Sequence, residues 1–289
     1  MQLISIGELI DQSWENYRSR FPSFVKIIVW QLVPCFFSII ALILYPNAAT
    51  MLAGRAMNIT ETSSVFIWFF SNSILTPIIG LWVFIATVRL LLTQMEKKPV
   101  IFSKISKEGW KLFLPTLWVS ALVSFFIIAI WFILTPGIFF DWLGGTLNSS
   151  ILGTFGALLI IAGSIAAAIL TVERLVNLAY APLALIIENI HGRQALKRSR
   201  ELVKGKFWVT LFRMVIPKVP FIFATVVILS ILTYLIQLLV TSTIGLNVDL
   251  ATRVNSILSS LLLTIGLSLL NPILIITDFL LFDSLRKNK

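Results

Sequence analysis

Charged residues are scarce in this chain, at 12% of its 289 positions. Soluble globular domains carry about 25% charged residues, so this chain could not cover a large water-facing surface. Hydrophobic residues make up 58% of it. The composition excludes a mainly soluble protein and predicts an integral membrane protein.

Cysteine and histidine are nearly absent, with Cys35 and His191 the single representatives. One cysteine excludes a disulfide within the chain, and one histidine excludes a multi-histidine metal site. The sequence contains no P-loop, dinucleotide-binding fingerprint, zinc-ligand spacing or nucleophile elbow. We therefore expect a protein that is not an enzyme and that holds no cofactor or metal.

Six apolar runs are long enough to cross a hydrocarbon core of roughly 30 Å, which takes about 20 helical residues. These runs are 24–45, 65–88, 114–135, 151–187, 209–240 and 256–282. The fourth run leaves two alternatives, because a single crossing fits 151–172 or 165–187. Prolines in or beside the runs predict kinks, since neighbouring groups can satisfy the freed carbonyls.

Basic residues lie in alternate connections, at 18–26, 97–111, 193–206 and 286–289. The opposite connections, near 46–64, 136–150 and 241–255, contain only two basic residues, Arg55 and Arg253. Cytoplasmic loops carry the excess of Lys and Arg, so both termini are predicted in the cytoplasm. The formal net charge of +10 then indicates basic loops that face an anionic leaflet rather than a nucleic-acid surface.

The sequence contains an internal repeat. Residues 13–21 (SWENYRSRF) align without gaps on 199–207 (SRELVKGKF), and a weaker copy runs from Ser103 to Phe113. Each copy precedes an apolar run. The spacing predicts three parallel units of two spans, roughly 1–97, 98–190 and 191–289, within a single polytopic domain.

Each unit begins with a short helix that has one apolar and one basic face, typical of helices lying in the membrane interface. Such helices could serve only to anchor the spans. Alternatively, the densest basic cluster could recognise anionic lipid heads or a protein partner. That cluster consists of Arg193, Lys197, Arg198, Arg200, Lys204 and Lys206.

Four charged residues lie closest to apolar surroundings, namely Arg89, Glu173, Arg174 and Asp278. Charges inside a span are costly and often functional. If the fourth span starts near Ile165, Glu173 and Arg174 fall inside the membrane and should pair with other helices. If it ends at 172, all four can lie at the ends of their spans, in a structural role.

Five short segments resemble a known family: PGI at 136–138, APLALIIE at 181–188, ALKRS at 195–199, GKFW at 205–208 and LFDSLR at 281–286. In order and content they resemble the membrane domain attached to bacterial glycerophosphoryl diester phosphodiesterases, and related six-helix inner-membrane proteins. The resemblance implies a bacterial cytoplasmic membrane and a six-span fold. It does not imply the phosphodiesterase activity, whose catalytic histidines and metal-binding carboxylates belong to a separate barrel domain.

The sequence thus predicts an all-α integral membrane protein with six spans and three cytoplasmic interface helices. The favoured function is a lipid-interacting scaffold or regulator at the cytoplasmic leaflet, with anionic lipids as partners. The alternative is a transporter or channel for a small solute or lipid, because parallel repeats occur in transporters. A lipid-modifying enzyme is disfavoured, since no nucleophile and base converge.

Overall fold

A computed structural model describes residues 3–46, 54–245 and 247–288. Within these ranges the chain forms eight helical segments and no strand. Two of them are short, α1 (Ile6–Ser19) and α6 (Arg193–Val203). The other six are α2 (Phe21–Leu44), α3 (Ile59–Met95), α4 (Phe102–Thr146), α5 (Ser150–Glu188), α7 (Phe207–Ile244) and α8 (Val248–Lys287).

These six long segments are apolar and long enough to cross a membrane. They contain the six predicted runs almost entirely, so the prediction of a six-span membrane protein is confirmed. The helices extend beyond the runs because polar flanking residues continue the helical backbone. Asn58 caps α3, for example: its side chain accepts from the Glu61 N–H while its own N–H donates to the Glu61 carboxylate, the reciprocal capping-box arrangement.

The hydrogen-bond pattern changes beside most of the prolines. Turns of 3₁₀ helix occupy 29–31 in α2, 132–134 in α4 and 216–218 in α7, and a π-helical turn occupies Ser71–Leu75 in α3. Pro115 and Pro272, by contrast, lie inside uninterrupted helix. The helical hydrogen bonding around a proline therefore adjusts to the missing N–H in different ways at different sites.

The helical segment at the fourth span is longer than either predicted crossing. Its helix runs from Ser150 to Leu178, is interrupted at Ala179–Tyr180, and resumes at Ala181–Glu188. Pro182 lies in the first turn of the resumed segment. Backbone N–H groups form no intrahelical hydrogen bond there, so the N–H that proline lacks is not missed. The interruption agrees with the kinks expected beside prolines, and the helical segment contains both predicted crossings, 151–172 and 165–187.

Contacts divide the chain into two compact units. One comprises Leu114–Phe212 and the residues from Leu285 onward; the other comprises the chain through Phe113 and Arg213–Ser284. This grouping does not follow the predicted repeat boundaries, because the middle repeat, 98–190, is divided at Phe113.

Small residues bring helices close together in the unit that contains Leu114–Phe212. The final segment of α4 (Thr135–Thr146) packs against α5. A Cβ atom added to Gly144 would overlap the backbone of Gly153, and one added to Gly156 would overlap the backbone of Asp141. Small residues allow such approach in lipid, so Gly144 and Gly156 let the two helices pack closely.

The core of the other unit lies around the later turns of α3 and α8. Val83, Ile85 and Ala86 of α3 are fully buried, as are Ile276 and Phe282 of α8. The helix α1 contributes Leu9, also fully buried, and its Ser13 hydroxyl accepts a hydrogen bond from Thr277 of α8 at 3.1 Å. This unit therefore holds α1 against α8 by both apolar and polar contacts.

Candidate functional site

The basic helix α6 has one buried and one exposed face. Ala195, Leu196, Ser199, Leu202 and Val203 are buried, and α6 packs on α5. Arg193, Lys197, Arg200 and Lys204 are exposed. The buried residues recur at helical spacing, so packing of one face directs the cations outward.

Ser199 holds α6 to the interrupted part of α5. Its hydroxyl donates to the carbonyl of Asn177 at 2.7 Å and accepts from the N–H of Tyr180 at 3.2 Å. Both backbone groups flank the interruption at Ala179–Tyr180, where the regular helical bonds are lost. A buried polar backbone group without a partner is costly, so this one side chain compensates for the break.

Arg198 is turned inward, unlike its basic neighbours. Its Nε donates to one carboxylate oxygen of Glu188 at 2.7 Å, and its Nη2 donates to the other at 2.9 Å. The side chains of Arg198 and Glu188 are only 26% and 14% exposed. The hydrogen bonds that Arg198 donates to Glu188 raise the pKa of the Arg198 guanidinium. Arg193 is nearer to Glu188 in the sequence, but the partner in the structure is Arg198.

Two more of the predicted basic residues have internal contacts. The Arg200 guanidinium lies 5.9 Å from the centre of the Phe126 ring, within the range of a cation–π interaction. Lys206 donates to the backbone carbonyl of Asn288 at 3.2 Å. Arg193, Lys197 and Lys204 have no ion-pair partner among the described residues, so these three are the cations available to an external anion.

The predicted intramembrane charges have separate local partners. Asp278 of α8 forms a salt bridge with Lys218, in the 3₁₀ turn of α7, at 2.6 Å. Arg89 of α3 lies 3.8 Å from the Glu108 carboxylate and lines a cavity of about 370 Å³. Neither pair involves another member of the predicted set, so Arg89 and Asp278 do not form a common site.

Glu173 and Arg174 occupy the later part of α5 and are half-buried. Glu173 accepts from the side-chain amide of Asn177, one turn further along the same helix, at 3.5 Å. Among the described residues, the hydrogen bond of Glu173 is therefore within its own helix. Arg174 has no ion-pair partner in the described parts of the chain.

A polar cavity that the sequence did not predict lies between α2, α3 and α8. Its volume is about 470 Å³, and its lining residues belong to the central turns of the three helices. Each helix contributes one side-chain amide, from Gln31, Asn72 and Asn271. Each is the only Asn or Gln in its apolar run, 24–45, 65–88 or 256–282. That solitary amide was the signal available in the sequence.

The π-helical turn of α3 shapes one wall of this cavity. The Ser71 hydroxyl donates to the carbonyl of Pro34 at 2.6 Å, and Ser71 and Ser38 share a hydrogen bond at 3.0 Å. The Asn72 amide donates to Ser38 Oγ at 3.2 Å and to the carbonyl of Trp68 at 2.9 Å. Interhelical bonds of this kind hold helices together where water is scarce. They also fix where the Asn72 amide oxygen lies.

Comparisons with known proteins identify no relative: no family model matches the chain, and no curated protein or solved structure matches it. The fold and the contacts described above are therefore the basis for a functional assignment.

Proposed function

We propose that this multi-pass membrane protein binds anionic lipid heads through the exposed face of α6. The observation that carries the proposal is that the six basic residues differ in whether they make contacts within the protein. Arg198, Arg200 and Lys206 make internal contacts, whereas Arg193, Lys197 and Lys204 are outside every described ion pair. Each basic residue near an anionic surface contributes about 1 kcal/mol of binding free energy.

Rigid docking of α6 supports a recognition role beyond simple anchoring. The pair Arg198–Glu188 and the two Ser199 hydrogen bonds attach α6 to the end of α5. Cations on a fixed helix lose little conformational freedom when they bind a ligand, which favours affinity. Trp208, 66% exposed just after α6, suits the headgroup depth at which tryptophan is enriched.

The three-unit repeat is also part of the proposal. Positions 9, 13 and 17 of α1 correspond to 195, 199 and 203 of α6, and all six residues are buried. In the weaker middle copy, Ile105 and Gly109 occupy the positions of Ser13 and Tyr17 and are buried too. The 3₁₀ turns at 29–31 and 216–218 fall at nearly the same distance from the start of each copy. These correspondences support parallel units with interface helices.

We further propose that both termini face the cytoplasm of a bacterium, with α6 at the inner leaflet of the cytoplasmic membrane. The bias of basic residues toward alternate connections supports this orientation. The resemblance to the membrane domain of glycerophosphoryl diester phosphodiesterases supports the location. A scaffold or regulator that gathers anionic lipid is consistent with both.

A second function, passage of a small solute or lipid, is favoured by the polar cavity between α2, α3 and α8. Intramembrane cavities lined by polar groups are typical of transport sites. Flux of an uncharged solute or lipid through proteoliposomes tests it. Flux no faster than in protein-free vesicles would exclude this function.

Analysis of the lipids that copurify in native-membrane discs tests lipid binding. We expect the wild-type protein to be enriched in an anionic lipid, and a variant with Arg193, Lys197 and Lys204 changed to Gln to lose the enrichment. The matched control changes three exposed lysines of the second basic connection, Lys97, Lys107 and Lys111, and should keep it. A lipid profile equal to that of the bulk membrane in all three proteins would contradict the proposal.

A further inference from the structure

We infer that the cavity between α2, α3 and α8 binds an uncharged lipid with hydroxyl and ester oxygens, of the diacylglycerol type. This inference is independent of anionic lipid binding by α6. It rests on three properties of the cavity: polar groups without partners among the described residues, a described lining without charged residues, and exposed apolar side chains at its edge.

Several polar groups that line the cavity are not used by the protein. The side-chain amides of Gln31 and Asn271 and the hydroxyls of Ser260 and Ser268 form no hydrogen bond with any described residue. Asn72 uses its amide N–H groups on Ser38 and Trp68, which leaves its amide oxygen without a described donor. Unpaired polar groups are costly in a hydrocarbon interior. An occupant with matching hydrogen-bonding groups is therefore stabilised there.

Proline adds a backbone acceptor to the same wall. Pro272 has no N–H, so the carbonyl of Ser268, four residues earlier on α8, lacks its regular helical donor. Ser268 lines the cavity. The helical turn that contains Ser268 and Asn271 thus includes a carbonyl acceptor without its regular donor, which suits an alcohol hydroxyl group.

Among the described residues that line the cavity, none is Asp, Glu, Lys, Arg or His. A phosphate or ammonium group placed there would lose its hydration without gaining a counter-charge, which is strongly unfavourable. The lining thus discriminates against phospholipid heads and free anions. It selects a ligand whose polar part is neutral.

The remaining lining is apolar and open on one side. Leu42, Ile79 and Leu274 line the cavity, and so do Trp68 and Leu267, which are 49% and 55% exposed. In a membrane, exposed side chains at this level of a span face acyl chains. A volume of about 470 Å³ falls within the range of about 300–1,000 Å³ of small-ligand pockets. It accommodates a glycerol ester group while the acyl chains extend into the bilayer.

Photolabelling of the full chain in phosphatidylcholine nanodiscs tests the inference. The probe is a diacylglycerol with a diazirine on the acyl chain close to the ester, and labelled peptides are mapped by mass spectrometry. We expect labelling concentrated in 68–80 and 260–274. Excess unlabelled diacylglycerol should reduce it about tenfold, whereas phosphatidic acid and free glycerol should not compete.

Two substitutions distinguish binding in the cavity from binding elsewhere on the protein. Asn271→Leu keeps the side-chain size, removes the amide, and should weaken labelling about tenfold, as expected for loss of a hydrogen bond in a low-dielectric site. Asn255→Leu makes the same change on α8 outside the cavity lining and should leave labelling unchanged. If Asn271→Leu does not fold, the competition with wild-type protein decides alone. Labelling spread evenly over the spans, or competition by phosphatidic acid or glycerol equal to that by diacylglycerol, would overturn the inference.

Discussion

Arg198 and Glu188 form a bidentate ion pair that joins the middle of α6 to the end of α5, with N–O distances of 2.7 and 2.9 Å. The pair uses the planar guanidinium in the geometry that best matches a carboxylate. It converts one residue of a basic cluster into a structural link. The cations on either side of it, Lys197 and Arg200, remain exposed.

Removing Arg198 should therefore destabilise the protein without removing the exposed cations of the proposed lipid-binding face. We expect Arg198→Gln to lower the free energy of unfolding by about 1–3 kcal/mol, because the Glu188 carboxylate loses both donors while partly buried. Lys197→Gln, an exposed neighbour, should change it by less than about 0.5 kcal/mol. Denaturation in a fixed detergent measures both. Equal stability of the two variants would show that the pair has no structural role.

The contact between α4 and α5 predicts that alanine substitutions at two adjacent glycines differ sharply in their effect on stability. Gly144→Ala should lower stability by about 1–3 kcal/mol, because its Cβ would overlap the backbone of Gly153 and overpacking forces helices apart. Gly145→Ala has open space around its Cβ and should be neutral or slightly stabilising. Thermal unfolding in detergent distinguishes them. The account of helix packing fails if both substitutions behave alike.

The pair Lys218–Asp278 predicts compensation between two substitutions. Lys218→Met or Asp278→Asn alone leaves one charge without its partner in an apolar span and should cost about 3–5 kcal/mol. The double variant removes both charges and should recover most of that loss. Apparent melting temperatures in nanodiscs are compared for the wild-type protein, the two single variants and the double variant. Additive losses would indicate that the two charges act independently.

Part of this architecture could be predicted from the sequence because lipid imposes a simple rule on composition. A run of about 20 apolar residues must be a span or lie buried, so all six long helices could be located. The separation of α6 into an apolar and a basic face could also be predicted, because it follows from helical spacing.

Other features depend on contacts between residues far apart in the chain. Glu188 pairs with Arg198 rather than Arg193 because the turn after α5 determines which side of α6 faces the carboxylate. The π-helical turn at Ser71–Leu75 has no signature of its own in an apolar run. Gln31, Asn72 and Asn271 each look like an isolated polar residue in a span. Only the packing of α2, α3 and α8 brings them to one cavity.

Accessibility of introduced cysteines tests the proposed orientation. In a Cys35→Ala background, cysteines at positions 58, 142 and 248 should react with a membrane-impermeant maleimide added to intact cells. Cysteines at positions 98 and 200 should react only after the membrane is permeabilised. Reaction at position 200 from outside would place α6 on the opposite face and contradict binding to the inner leaflet.

The most direct test of the central claim is a titration of single lipid-binding events by native mass spectrometry. Wild-type protein should bind phosphatidylglycerol more tightly than phosphatidylcholine. Changing Arg193, Lys197 and Lys204 to Gln should weaken phosphatidylglycerol binding by up to about one hundredfold, from three contributions of about 1 kcal/mol. The control with Lys97, Lys107 and Lys111 changed to Gln should retain most of the affinity. Equal affinities for the two lipids, or equal losses in the two variants, would contradict recognition of anionic lipid by α6.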